Sequence, residues 1–172
     1  MKNIATIICV LCAVISVACT VLTLSVGLGT PADARPGAAA VDELARAADE
    51  TRWSSVVANI KTVRSQLQLY KAQHDERWPS DFGRQMSSYT DLEGRTSERQ
   101  TEQCRFGPYL LRVPNNPYTG MRSVAVVAGA AESYRPAEDM DGGWWYNSAT
   151  GEFRCHVPDS VVTPEGKKVN EL

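Results

Sequence analysis

The chain has 172 residues, 43% of them apolar and 22% charged, with a formal net charge of −2. That length holds one ordinary domain with an appendage and hardly two. The composition argues against disorder throughout, and no excess of basic residues is left to neutralise phosphates, so nucleic acid is not an expected partner.

Charge is unevenly placed. Lys2 is the only charged side chain before Asp33. Residues 4–28 carry no charge, and about 20 apolar residues span a bilayer core, so residues 1–29 are expected to form a transmembrane anchor or an uncleaved signal. A basic residue before the apolar run favours a cytoplasmic N-terminus, with the rest of the chain outside. Two rivals stand beside the anchor. Ala32-Asp33-Ala34 has the small-x-small form of a signal-peptidase site, and cleavage near Ala34 would release a secreted domain. The apolar run is longer than the roughly 7–15 residues of a signal core. Ser16-Val17-Ala18-Cys19 has small residues before a cysteine, as in a lipoprotein, but apolar residues continue after Cys19.

Residues 30–40 are expected to be a linker, because GTPADARPG combines two prolines with framing glycines. Residues 41–74 contain neither proline nor glycine. There Trp53, Val56, Val57, Ile60, Val63, Leu67 and Tyr70 recur at helical spacing, opposite Arg52, Asn59, Lys61, Arg64, Gln68 and Lys71. The spacing predicts an amphipathic helix on the order of 45 Å long, whose stripe later residues must cover. His74 at its end suits the helix dipole. Trp78-Pro79 stops the helix.

Phe82, Met86, Tyr89 and Leu92 suggest one short helix, and residues 93–103 an exposed loop. Strands are expected at residues 109–113, 123–128, 144–147 and 152–157. The run PNNP makes a turn after the first, and SATG, ending in Gly151, a hairpin between the last two. Adjacent Trp144 and Trp145 must point to opposite faces, so one ring is a candidate for exposure, against the plainer expectation of cover by a nearby loop. Residues 159–172 read as a polar, frayed tail. The expected fold is therefore α+β, with residues 41–158 forming one long helix packed on a small antiparallel sheet.

Of the five cysteines, Cys9, Cys12 and Cys19 lie in the apolar run. Cys104 and Cys155 lie outside it, in what is expected to be an oxidising compartment, and are expected to pair.

The run ANIKTVRSQLQLYKAQHDERWP at residues 58–79 resembles the amphipathic helix of major pseudopilins of the type II secretion system. FGPYL at residues 106–110, PNNP at 114–117 and GWWYNSATGE at 143–152 are similar to strand and turn segments of pseudopilin-like sequences, in the same order. The N-terminus differs from that family, since residues 4–28 contain no glutamate and no Gly-Phe junction precedes them. The resemblance implies a pilin-like fold and a single-pass inner-membrane protein with its domain in the periplasm. It also implies a structural or accessory role in a secretion or pilus-like apparatus, with those proteins as partners and possible self-association. The residues expected to matter then carry packing: Trp53, Val56, Ile60, Val63, Leu67 and Tyr70. The alternative is a tethered periplasmic binding module on the same fold, which the proline-broken linker favours.

No enzyme is expected. There are two histidines, His74 and His156, and no nucleophile elbow, phosphate loop or dinucleotide fingerprint. No cofactor is expected apart from a candidate calcium site at Asp139 and Asp141, within EDMDGG. Close hard oxygen ligands suit that ion, and the resemblance adds weight because major pseudopilins bind calcium in a late loop. The twelfth position from Asp139 is Thr150, so the segment is not an EF-hand.

Overall fold

A computed structural model of the chain describes residues 36–172. The expected anchor, and the linker up to Arg35, lie outside the described residues. Among those residues no helix is long and apolar enough to cross a membrane. The fold is α+β: a long helix, a short helix and two small sheets.

Helix α1 spans Pro36–Gln73, 38 residues or about 57 Å. It starts before the expected boundary, so residues 36–40 are helical rather than linker. Pro36 sits in the first turn, where its missing N–H would have had no helical partner. At the other end Asp75 and Glu76 turn left-handed, with φ of 53° and 61°. Glu76 N–H then reaches back to the Lys71 carbonyl at 3.1 Å, closing the helix as a terminal glycine often does.

Helix α2 (Phe82–Ser87) is capped by Asp81, which accepts from Arg84 N–H. Strands β1 (Tyr89–Thr90) and β2 (Thr96–Ser97) form a small antiparallel hairpin, β1 in the stretch expected to continue the short helix to Leu92 and β2 inside the segment expected to be loop. Its turn is organised by Asp91, only 5% exposed, which accepts from Arg95 N–H at 2.8 Å and Arg95 Nε at 2.6 Å. Burial pushes the Asp91 carboxyl up, but the Arg95 bonds more than offset it and hold the group below the usual carboxylate range. A carboxyl depressed on folding contributes stability that is complete above its unfolded value, about 3.9. That contribution is lost as pH falls through the folded value. The melting temperature of Asp91→Asn is therefore expected to lie below that of the unsubstituted chain at pH 7, with the gap narrowing below about pH 4 in thermal melts.

The main sheet contains β3 (Val124–Val127), β4 (Trp144–Asn147) and β5 (Phe153–Cys155) in the order β3-β4-β5. The β4–β5 hairpin is antiparallel, as expected, and Gly151 takes φ of 76° in its turn. The β3–β4 pair corrects the all-antiparallel expectation, because it is parallel, with Val124 opposite Trp144. Parallel neighbours need a crossover of about a dozen residues or more, and residues 128–143 supply it.

Residues 109–113 form no strand. Tyr109 and Leu110 N–H groups instead both go to the Met86 carbonyl, at 3.0 and 2.8 Å, completing the end of α2. The tail does not fray. Val162 and Lys168 bridge, a 3-10 helix follows at Val169–Glu171, and Val169 and Asn170 are buried. Asn170 donates to the Val157 carbonyl at 3.1 Å, and Arg64 of α1 donates to the Leu172 main-chain oxygen at 2.6 Å.

One core joins these pieces. Val56, Ile60, Val63, Leu67 and Tyr70 of α1 are buried with Phe82, Met86, Trp144, Tyr146, Phe153 and Val157. Trp53 is half-buried against its edge.

Candidate functional site

The stripe read from the sequence separates α1 into two unlike halves. From Val56 onward its apolar face is closed by β5 and the rest of the core. Between Val41 and Ala48 no side chain is covered, Val41 being 65% and Leu44 73% exposed. In these two turns the aliphatic Val41 and Leu44 are bare and have no mate among the described residues, whereas Glu43, Arg46 and Ala47 line one wall of a cleft. Where this half meets the head, Trp53 and Glu50 face Thr163 and Pro164 across a cleft of about 380 Å3. The tail turn that builds the far wall was not legible as structure. Its signal is the TPEG run, which turns at Gly166 with φ of 78°.

The candidates for chemistry are placed apart from one another. His74 is not exposed to solvent at the helix end. It is 1% exposed, stacked on Tyr70 at 3.8 Å, with Nδ1 donating to the Tyr70 carbonyl at 2.8 Å. Nε2 faces the Thr90 hydroxyl at 3.0 Å, so both ring nitrogens are engaged.

The expected Cys104–Cys155 disulfide is absent, and both are free thiols. Cys155 lies within the core on β5, where Asn116 Nδ2 donates to its sulfur at 3.1 Å. Cys104 lies in the loop after β2, its sulfur 3.7 Å from the Arg95 carbonyl. Each therefore belongs to a different local packing group. Burial pushes the Cys155 thiol up to about 11, which keeps it protonated near neutrality and poor as a nucleophile. Alkylation of the folded chain followed by peptide mapping is expected to label Cys104 and to spare Cys155 until denaturant is added.

Asp139 and Asp141 lie exposed in the 128–143 crossover. Among the described residues no three His, Cys, Asp or Glu side chains converge as a metal centre would need.

The tryptophan pair is covered on both sides. Trp144 lies in the core, stacks on Phe153 at 5.2 Å and donates to the Pro114 carbonyl at 2.8 Å. Trp145 faces the other way and is still only 3% exposed, because the crossover passes over it and Tyr134 meets its ring edge-on at 5.4 Å. Beside it Ala125, Val127, Arg135 and His156 line a cleft of about 580 Å3. Desolvation there lowers the His156 value, opposed by nearby Asp141.

Sequence reading missed Asn116 as a keystone. It is fully buried, donates to the Gly143 carbonyl at 2.6 Å and to Cys155, and accepts from Tyr118 N–H at 3.0 Å. Its position in PNNP reads only as a turn. No protein-family model, curated protein or solved structure matches the chain.

Proposed function

We propose that this chain is a membrane-tethered, pseudopilin-like structural or accessory subunit of a type II secretion or type IV pilus-like apparatus, anchored in the inner membrane with its head in the periplasm. The observation that carries this reading is the division of α1. One half is buried under a small sheet, and the other is uncovered over Val41–Ala48 with Val41 and Leu44 bare. A helix that fits a neighbour on one half and its own head on the other suits a subunit more than a free enzyme. The apolar residues 4–28, which precede it in sequence, supply the tether. The helix and turn segments that resemble pseudopilins support the same assignment.

A second reading, a tethered periplasmic binding module, draws on the cleft beside Trp145, large enough at about 580 Å3 for a small ligand.

Extraction of the full chain from its native membrane in mild detergent tests the first reading. The expected result is co-sedimentation with identified secretion or pilus-apparatus proteins, weakened when Val41 and Leu44 are both changed to Asp. A chain that sediments alone, or one whose associations ignore both substitutions, contradicts it.

A further inference from the structure

Strand β3 is the unpaired edge of the main sheet, with only the short helix α2 packed near it, whereas β5 at the other edge lies against α1 and the C-terminal 3-10 helix. Trp144 N–H donates to the Ser123 carbonyl at 2.8 Å, and Ser148 N–H to the Val127 carbonyl at 2.9 Å. In this register Ala125 and Val127 turn their main-chain groups toward β4. Val124 and Val126 aim theirs the opposite way, and among the described residues these groups have no hydrogen-bond partner. Val126 is 44% exposed, and Ala125 is exposed as well. The strand reads VAVV, with no charge, proline or irregular register to protect it.

We propose that β3 pairs antiparallel with β3 of a second copy of this chain, about a two-fold axis through Ala125. The small side chain at Ala125, with Arg122 at one end of the strand and Glu132 folded onto Gly129 at the other, selects a second copy over an unrelated strand. With Ala125 facing Ala125 of the other copy, Val124 of each chain lies opposite Val126 of the other, and all the outward N–H and C=O groups are satisfied reciprocally. The axis falls on a non-hydrogen-bonded pair, where Cα atoms approach to about 4.5 Å and a small side chain fits without crowding. The same axis sets the Arg122 end of each strand beside the segment carrying Glu132, whose carboxylate folds back onto Gly129. The two ends of the paired strands thus carry opposite charges. This contact goes beyond the subunit reading and does not rest on it, because a two-fold pairing of heads closes on itself whereas head-to-tail contacts do not.

The test uses the full chain in detergent micelles. A125C is expected to yield a covalent dimer under mild oxidation at least tenfold faster than L111C, whose site is 97% exposed. Mass spectrometry should locate the bond between the two substituted positions. V126P removes an outward N–H without touching the β4 ladder, and V126K leaves the backbone whole while placing charge on the edge. Either change, added to A125C, is expected to slow cross-linking about tenfold with the melting temperature unchanged. Equal rates for A125C and L111C overturn the proposal. So does indifference to V126K, or a bond from position 125 mainly to a different protein.

Discussion

Trp144→Ala is expected to cost about 3–5 kcal/mol, a large share of the about 5–15 kcal/mol by which ordinary domains are stable. The ring is fully buried in the core that β4, β5 and α1 share, and it stacks on Phe153. Its removal opens a cavity that the flanking rings cannot fill, since Phe153 and Phe82 are themselves held in a stack at 5.3 Å. The indole N–H is also the partner of the Pro114 carbonyl. Trp144→Phe keeps most of the volume but not that donor, so it should lose less than the alanine variant and more than nothing. Urea unfolding of the two variants, followed by circular dichroism, gives the order directly. A loss below about 1 kcal/mol for alanine would mean that the sheet and helix are not joined through this ring.

Asn116→Ala is expected to cost about 2–3 kcal/mol by a different route, through unpaired polar groups rather than lost volume. The side chain ties the PNNP turn to the start of β4 through the Gly143 carbonyl, and to β5 through the Cys155 sulfur. Truncation leaves the buried Gly143 oxygen only the longer bond from His156 N–H, at 3.2 Å, and removes the acceptor for Tyr118 N–H. Asn116→Asp separates the two functions. It restores the acceptor but turns a carboxylate oxygen toward a carbonyl, so its carboxyl should fold in the protonated state, with a raised value. A raised group contributes stability that is present below its unfolded value and lost as pH rises. The aspartate variant should therefore weaken between about pH 4 and pH 7, whereas the alanine variant should show no comparable loss. Parallel urea titrations at the two pH values read the difference.

The long helix was legible because its information is local. Val56, Ile60, Val63, Leu67 and Tyr70 mark one face by spacing alone, and all five are buried. The β4–β5 hairpin was legible for the same reason, since its strands adjoin and Gly151 announces the turn. The direction of β3 was not, because a period of two marks a strand and says nothing about which way its neighbour runs. That choice is made by the crossover, which also buries Trp145 and so removes the exposed ring that strand alternation had suggested. The tail misled for a related reason. Residues 159–172 are mostly polar, yet Val169 and Asn170 are buried, with Asn170 donating to the Val157 carbonyl and Asp159 while Arg64 holds the Leu172 main-chain oxygen.

At the candidate site the uncovered half of α1 follows from the sequence only once the length of the head is known. The five core residues of the stripe begin at Val56, and the head offers nothing that reaches back to Val41 or Leu44. The disulfide failed as an expectation because it rested on counting thiols outside the apolar run. Pairing also requires Cα atoms within about 7 Å, which no count supplies. The placement of Cys155 beside Asn116, deep in the core, is set instead by the alternation of β5.

The most direct test of the tethered-subunit reading is site-specific photocross-linking at Leu44 in the native membrane, with a probe at solvent-facing Lys61 as control. Discrete adducts with identified apparatus subunits from Leu44, and few from Lys61, are the expected result. Adducts from neither position, with the chain diffusing as a lone monomer, would contradict a role for the uncovered half of the helix in assembly.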